Sequence, residues 1–327
     1  MEALNPFSFF NIHDDAEFEK SALSVFRLQY EKNPVYQTYC QHLNIKKEDV
    51  QHLEDIPFLP ISFFKTHPVK TTDFNPELTF RSSGTTGIQQ SLHLIKDAAL
   101  YQLSLIKGFH YFYGNPSEYA FLALLPNYLE QRQSSLIYMM ETLMKKSDSK
   151  DNGYYLYNHE ELYHKLKELQ QRHQKTILWG VTFALLDFAE HYQLYFPELI
   201  VFETGGMKGR RKEMVKEELY DTLKRAFGVP NIHSEYGMCE LLSQAYSKGG
   251  NLFTTPPWMR IRLRSEKDPL DGSDTVNTGV INVIDLANLY SCSFIATEDL
   301  GRRHPNGIEV LGRLDHAQIR GCNLMVL

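Results

Sequence analysis

The stretch RSSGTTGIQQ, residues 81–90, concentrates hydroxyl side chains and glycines in six consecutive positions. The hydroxyls can donate hydrogen bonds, and the glycines allow the backbone to turn its N–H groups toward one point. A loop with many donors and little bulk suits a phosphate, although such clusters also form ordinary turns. The residues that we predict to bind phosphate are Ser82, Ser83, Gly84, Thr85, Thr86 and Gly87.

Better-known catalytic motifs do not occur in the sequence. The loop is not a Walker A loop, because no Gly-Lys-Ser/Thr follows its first glycine, and the patterns G-x-S-x-G and G-x-G-x-x-G are absent. In HEELYH, His159 and His164 are five residues apart, which places the two rings on different faces of a helix. The sequence therefore does not support an α/β serine hydrolase, a dinucleotide-binding enzyme or a zinc protease.

Composition favours an enzyme that acts on small molecules. The 327 residues carry 34 basic and 40 acidic side chains, a net charge of −6, which argues against nucleic acid or an anionic membrane as the main partner. The first residues do not have the pattern of a signal peptide, and the longest apolar stretch is interrupted by Asp187. We expect a cytoplasmic protein without membrane insertion, whose four scattered cysteines are free thiols.

Periodicity predicts the elements that must position the loop. In the middle of the chain, the apolar strands YAFLALLP, TILWG and LIVFETGG alternate with amphipathic helices. This alternation predicts an α/β fold with a mainly parallel sheet flanked by helices. From about Gly250 onward, short strands joined by turns predict a smaller β-rich lobe. We therefore expect an α/β core over residues 1–249 and a β-rich lobe over residues 250–327.

Four further stretches accompany the loop: FETGGMKGR at 202–210, SEYGMCE at 234–240, ATEDLG at 296–301 and GRLDHAQIRG at 312–321. In order and approximate spacing, these stretches resemble motifs of the adenylate-forming enzymes, also called the ANL or AMP-binding superfamily. The similarity runs from about residue 57 to residue 321. It implies the large N-terminal domain of these enzymes, which use ATP to convert a carboxylate into an acyl-adenylate.

The resemblance implies roles for residues outside the loop. Glu240 would bind the Mg²⁺ that neutralises the leaving pyrophosphate, and is therefore a candidate catalytic residue. Tyr236 would lie against the adenine ring, which the backbone would approach closely at Gly205 and Gly206.

Other positions of the same stretches complete the predicted nucleotide site. Gly237 and Cys239 belong to the stretch that contacts the nucleotide. Asp299 would accept hydrogen bonds from the ribose hydroxyls and Arg313 would donate to them. Asp315 resembles the hinge position of the superfamily.

The sequence departs from the usual superfamily pattern at three places. The loop continues as IQQSLH instead of Pro-Lys-Gly, so one positive charge is missing. Cys239 replaces the usual threonine of the Y-G-x-T-E motif. Most relatives continue beyond Gly321 into a C-terminal domain that carries a catalytic lysine, and this sequence offers no counterpart of that domain or its lysine.

One short branch of the superfamily is similar in further stretches. FLPISFFKTHPVKT, TGGMKGRR and IRGCNLMVL resemble the LuxE-type acyl-protein synthetases, which transfer the acyl group from AMP to one of their own cysteines and then to a reductase. Cys322 lies at the matching position, and a thiol is a strong nucleophile near neutral pH. Cys239 is the rival nucleophile, and Cys322 is otherwise a small packing residue.

The leading interpretation is an ATP-dependent acyl-protein synthetase that requires Mg²⁺. Its substrate would be a carboxylic acid, with a fatty acid as the main candidate because large apolar residues such as Trp179 and Phe183 precede FETGG. Its protein partner would be an acyl-accepting reductase or a carrier protein. Two alternatives stay open: an acyl-CoA ligase similar to phenylacetate-CoA ligases, and a nucleotide-binding module that has lost catalysis.

Overall fold

A computed structural model describes residues 4–82, 89–126, 133–205, 215–268 and 270–314. The α-helices within these ranges are α1 (Asp15–Lys32), α2 (Pro34–His42), α3 (Phe63–Thr66), α4 (Ala98–Tyr113), α5 (Ser135–Ser147), α6 (His159–Gln171), α7 (Thr182–His191) and α8 (Lys216–Phe227). The strands are β1 (Leu59–Pro60), β2 (Leu78–Arg81), β3 (Leu92–Ile95), β4 (Ala120–Leu124), β5 (Gly153–Tyr155), β6 (Thr176–Val181), β7 (Ile200–Thr204), β8 (Ile232–Tyr236), β9 (Ala245–Ser247), β10 (Leu252–Phe253), β11 (Met259–Arg264), β12 (Thr278–Asp285), β13 (Phe294–His304) and β14 (Gly307–Arg313).

The chain divides into two units. One unit comprises Met1–Asp73 together with Pro257–Leu327, and the other comprises Phe74–Pro256. The N-terminal segment thus groups with the C-terminal part of the chain. The sequence boundary between residues 249 and 250 stays a prediction about the organisation of the protein.

The unit Phe74–Pro256 contains a six-stranded sheet in the order β5-β4-β6-β7-β8-β9. All neighbouring pairs from β5 to β8 are parallel, and β9 is antiparallel to β8. Strands β4 and β6 are buried along their whole length, as expected for strands of a parallel sheet that is covered on both faces. The predicted α/β class with a mainly parallel sheet is therefore confirmed.

The helices of this unit have physically clear boundaries. Helix α8 ends at Gly228, whose φ of +64° lies in the left-handed region that favours glycine. A Cβ at this position would lie 2.6 Å from the Cα of Tyr195, so a larger residue does not fit. Helix α8 packs against α7 through parallel stacking of Phe188 on Phe227, whose ring centroids are 5.4 Å apart.

The other unit is built around an antiparallel sheet with neighbouring strands in the order β14-β13-β12-β11, to which β1 adds a parallel strand beside β13. The strands predicted beyond Gly250 are therefore present. Helix α1 begins after its N-cap Asp14, whose side chain accepts the N–H of Glu17. Within the same unit, the buried Gln29 of α1 donates to the carbonyl of Leu289 at 2.9 Å. No helix in the described part of the chain is both long and apolar enough to cross a membrane.

Candidate functional site

Most of the predicted phosphate loop lies outside the described residues. The residues concerned are Ser83, Gly84, Thr85, Thr86 and Gly87. Ser82 is described, at the base of the hairpin that β2 and β3 form. Its backbone N–H donates to the carbonyl of Ser91 at 3.2 Å, and its hydroxyl oxygen accepts the N–H of Ser91 at 2.9 Å. The base of the loop is therefore closed by reciprocal hydrogen bonds, while phosphate binding stays a prediction.

The stretch YGMCE begins at the end of β8. Tyr236 is the last residue of that strand, and its ring packs edge-on against Phe253 with the centroids 6.0 Å apart. Cys239 and Glu240 are both buried, with 8% and 4% of their surface exposed. A buried carboxylate supplies the oxygen ligand that Mg²⁺ prefers, so Glu240 fits the predicted metal role. The stacking of adenine on Tyr236 stays a prediction.

A buried histidine joins these two stretches. His93 lies on β3, where it is paired with Phe80 of β2, and it is fully buried. Its Nδ1 lies 2.8 Å from the carbonyl oxygen of Cys239, the residue before Glu240. The structure therefore brings the base of the predicted phosphate loop next to the predicted Mg²⁺ ligand. The sequence interpretation gave His93 no role, although alternation along β3 places it on the same face as the buried Ile95.

The cysteines within the described ranges have weakly acidic thiols. Cys40, Cys239 and Cys292 are all buried. Burial raises the pKa of Cys40 to about 12 and raises the pKa of Cys292 further. The pKa of Cys239 is raised well above its usual value by burial and by the negative charge of Glu240, against a smaller opposing hydrogen bond from the His93 backbone. These thiols stay protonated near neutral pH and are therefore poor nucleophiles.

The end of β7 provides a turn and a buried carboxylate. Gly205 has a φ of +83°, a conformation that favours glycine, while Gly206 lies outside the described residues. The close approach of an adenine at these glycines stays a prediction.

Glu203 of β7 connects three consecutive strands of the sheet at their carboxyl ends. Its carboxylate, only 6% exposed, accepts the hydroxyl of Thr182 directly after β6 and the hydroxyl of Ser234 on β8, the latter at 3.5 Å. The hydroxyl of Ser234 also lies 2.6 Å from the hydroxyl of Tyr220 on α8. The sequence analysis missed this network because its members are distributed over separate elements.

A second carboxylate lies near Gly237 and differs from the first in having no partner. Glu235 is partly buried, and it makes no hydrogen bond or ion pair with another described residue. Burial raises its pKa to about 7. The nearby Gln244 is only 5% exposed, and its side-chain oxygen has no hydrogen-bond donor in the described structure. Neither residue was singled out from the sequence.

The predicted ribose-binding residues lie in the unit that contains β13 and β14. Asp299 and Arg313 are directly opposite each other in this strand pair, with 3.9 Å between Asp299 Oδ1 and Arg313 Nε. The arginine side chain is 86% exposed. The structure therefore brings these two residues together, whereas Asp315 and Cys322 lie outside the described residues.

The motif HEELYH lies at the start of α6. His159 and His164 line an open cavity of about 660 Å³, together with Glu160, His191 and Tyr192. None of the predicted site residues lines this cavity. In the described ranges, no group of three or more His, Cys, Asp or Glu side chains has the geometry to hold a metal ion.

Comparisons with known proteins agree with the fold and with the motifs. The family model described as "Acyl-protein synthetase, LuxE" matches residues 3–120. A long-chain-fatty-acid–luciferin-component ligase of Photorhabdus luminescens is 33% identical over 75 residues, which make up 23% of this chain and 64% of that protein. The chain thus spans less than two thirds of the length of this curated relative.

Solved structures of ligases have the same fold. A 2-hydroxyisobutyryl-CoA ligase in the postadenylation state, in complex with R3-HIB-AMP, matches with a TM-score of 0.68 and 11% identity, over 92% of this chain and 68% of that chain. The same ligase in complex with 2-HIB-AMP and CoA gives a TM-score of 0.65 and 15% identity, over 93% and 70%. An ATP-bound RpMatB-BxBclM chimera gives a TM-score of 0.55 and 13% identity, over 74% and 49%.

The identities to the solved structures are low, so these matches concern the fold alone. The fold matches extend over most of the chain, whereas the family match covers its N-terminal part, which includes the segment FLPISFFKTHPVKT. The resemblance that the motifs indicate is therefore confirmed: over residues 3–120 the chain matches the LuxE acyl-protein synthetases, and its fold is that of the adenylate-forming ligases.

Proposed function

We propose that the protein uses ATP to convert a carboxylic acid into an acyl-adenylate and then transfers the acyl group to a cysteine thiol. The observation that carries this proposal is the contact between His93 and the carbonyl of Cys239. It joins the base of the Ser/Thr/Gly loop to the stretch that ends in Glu240, the two stretches to which the resemblance assigns the phosphates and Mg²⁺. The fold and the LuxE family match support the same reaction.

In the first step, a carboxylate oxygen of the acid attacks the α-phosphorus of ATP. A new P–O bond forms, the bond to the β-phosphate oxygen breaks, and pyrophosphate leaves. Because both reactants are anions, the protein has to screen and align them. The hydroxyls and N–H groups of the loop would bind the phosphates, and Glu240 would hold Mg²⁺. When bound, Mg²⁺ supplies positive charge that stabilises the leaving pyrophosphate.

The nucleoside contacts are assigned from the resemblance, residue by residue. Tyr236 would contact the adenine face, near the turn that begins at Gly205. Asp299 and Arg313, which are neighbours across β13 and β14, would form hydrogen bonds with the ribose hydroxyls. These contacts fix the α-phosphorus relative to the incoming carboxylate.

In the second step, a thiolate attacks the carbonyl carbon of the acyl-adenylate. A C–S bond forms, the bond from this carbon to the phosphate oxygen breaks, and AMP leaves, while the thiol proton passes to solvent. We assign this role to Cys322, because it lies at the position that the resemblance to LuxE-type synthetases implies; the buried thiols of Cys40, Cys239 and Cys292 are weakly acidic, which agrees with this choice. An acyl-accepting reductase or a carrier protein would then receive the acyl group. The similarity to a long-chain-fatty-acid–luciferin-component ligase of Photorhabdus luminescens supports a fatty acid as the substrate.

The exchange of labelled pyrophosphate into ATP, measured with a panel of carboxylic acids, tests the first step. For the second step, we expect Cys322→Ser to keep acid-dependent exchange but to take up no thioester-linked acyl label. The matched variant Cys239→Ser should keep both exchange and label.

Full labelling of Cys322→Ser would contradict the assignment of the acyl carrier. Release of free acyl-CoA when coenzyme A is added would favour the CoA ligase alternative. Absence of exchange with every acid would favour a nucleotide-binding module without catalysis.

A further inference from the structure

Two polar side chains beside the stretch YGMCE have no hydrogen-bond partner among the described residues. The side-chain oxygen of Gln244 is buried and accepts no hydrogen bond in the described structure. Glu235 likewise has no hydrogen-bond donor and no cation beside it among the described residues. Both side chains can accept hydrogen bonds; Glu235 is partly buried, and the buried oxygen of Gln244 has lost water without gaining a donor from a described residue. Buried acceptors of this kind are uncommon in native proteins, unless a ligand supplies the donor.

Gly237 places these two side chains beside each other. A Cβ added to Gly237 would lie 2.1 Å from Glu235 Oε1 and 3.3 Å from Gln244 Cγ. The carboxyl group of Glu235 and the side chain of Gln244 therefore flank the same Cα. The space that a side chain would take at position 237 is occupied by the carboxyl group, which fixes its place near the amide.

Glu235 and the predicted adenine contact lie on opposite faces of the sheet. Successive residues of a strand point to opposite faces, so Glu235 and Tyr236 of β8 project in opposite directions. Glu235 lies directly opposite Tyr246 of β9, whose ring packs against Phe202 and Tyr113. The pair thus lies on an aromatic and largely apolar face, separate from the face of Tyr236.

The same face contains another buried polar atom without a partner. Trp179 of β6 is paired with Phe202 of β7, and its ring stacks on the Phe202 ring at 4.0 Å. Its indole N–H has no acceptor in the described structure. An apolar face beside a buried acceptor and a buried donor, neither with a partner among the described residues, is suited to a ligand with an apolar body and a polar substituent.

We propose that Glu235 and Gln244 form the polar end of the acid-binding pocket and recognise a hydroxyl or amino group on the carbon chain of the substrate. This inference rests on the proposed function, and it narrows the substrate to acids that carry a hydrogen-bond donor on their chain. The apolar part of the acid would lie against the aromatic face. The buried oxygen of Gln244 would gain a hydrogen-bond donor when such a substrate is bound.

The titration of Glu235 agrees with this role. Burial raises its pKa to about 7, so both protonation states are accessible near neutral pH. The neutral carboxyl can exchange hydrogen bonds with a hydroxyl group. An ammonium group would instead favour the ionised carboxylate.

Hexanoic acid and its hydroxy- and amino-substituted derivatives are the probes for this inference. Two readouts are used: acid-dependent exchange of pyrophosphate into ATP, and equilibrium binding of each acid in the presence of AMP. We expect at least one substituted acid to be preferred over hexanoic acid by tenfold or more in both readouts. Gln244→Met should reduce this preference by about tenfold. Glu235→Gln should reduce it for an amino derivative more than for a hydroxy derivative, because the variant cannot ionise.

The matched control is Ser234→Ala, which changes a buried hydroxyl on the same strand but on the opposite face. It should leave the preference unchanged. The preference is the ratio of two acids measured on the same variant, so a general loss of folded protein lowers both measurements equally. Equal use of all the acids, or an equal loss of preference in Ser234→Ala, would overturn the inference. A binding preference without any exchange would support the inference about binding and refute the proposed activity.

Discussion

Two glutamates on neighbouring strands of one parallel sheet have opposite environments. Glu203, on β7, is paired with Ser234 of β8, and its carboxylate accepts hydroxyl hydrogen bonds from Thr182 and Ser234. Glu235 is the next residue after Ser234, and it projects to the other face without a partner among the described residues. The same side-chain type therefore serves two purposes near the same edge of the sheet.

The difference in hydrogen-bond partners distinguishes a carboxylate that stabilises the fold from one that we propose to bind the substrate. Glu203 connects the ends of β6, β7 and β8, and its charge is compensated by hydroxyl donors that the fold itself supplies. No described residue donates to Glu235, and burial raises its pKa to about 7 instead. A partnered buried group contributes to stability, whereas an unpartnered one costs stability and has to be explained by function.

The largest effect is expected when the partnered glutamate is removed. Glu203→Leu leaves the hydroxyls of Thr182 and Ser234 without an acceptor in a buried site, so we expect the free energy of unfolding to fall by about 3 kcal/mol. Urea denaturation measures this loss. Glu203→Gln keeps one acceptor oxygen and should lose less. If Glu203→Leu were as stable as the wild type, the hydrogen bonds of Glu203 would not stabilise the fold.

A smaller effect of opposite sign, a gain in the free energy of unfolding, is expected for Glu235→Gln. Below the unfolded-state pKa of about 4.5, the carboxyl is protonated in both states and costs nothing. As the pH rises from 4.5 through 7, the unfolded chain ionises first, so the wild type loses stability relative to Glu235→Gln. A shift from 4.5 to about 7 corresponds to about 3.4 kcal/mol. Because the carboxyl group is partly exposed, we expect the variant to gain only about 2 kcal/mol on the wild type between pH 4 and pH 8. Urea denaturation at both pH values measures this gain, and a difference independent of pH would contradict it.

The smallest effect is expected at the residue that lies between the two glutamates. Ser234→Ala removes one donor to Glu203, at 3.5 Å, and one partner of the Tyr220 hydroxyl, at 2.6 Å. Because Thr182 still donates to Glu203, we expect a loss of only about 1 kcal/mol in the free energy of unfolding. The pH dependence that Glu235 causes should be unchanged, since the two side chains lie on opposite faces. A changed pH dependence would show that the two faces are coupled.

Local patterns predicted the elements but not how distant parts of the chain associate. TILWG is apolar at most positions because β6 is covered on both faces, and this signal is visible in sequence. The pairing of β1 with β13 joins Leu59 to Ile295, and no local pattern records such a contact.

The motifs predicted the order of the candidate site residues but missed the groups that support them. YGMCE was recognised because several short stretches occur in a familiar order. His93 was not, because a histidine in a short alternating strand has no distinctive sequence context. Glu203 and Glu235 look equivalent in sequence. They differ in the structure because residues on other elements donate hydrogen bonds to Glu203, whereas no described residue donates to Glu235.

The association of the two ends of the chain has a consequence for biosynthesis. Helix α1 needs the carbonyl of Leu289 for the amide of its buried Gln29, and β1 needs Ile295 and its neighbours as a strand partner. Both partners leave the ribosome more than two hundred residues later. The sheet from β4 to β9 is completed within the intervening segment, so it is free to fold first, while the earliest part of the polypeptide must wait with its apolar surfaces exposed.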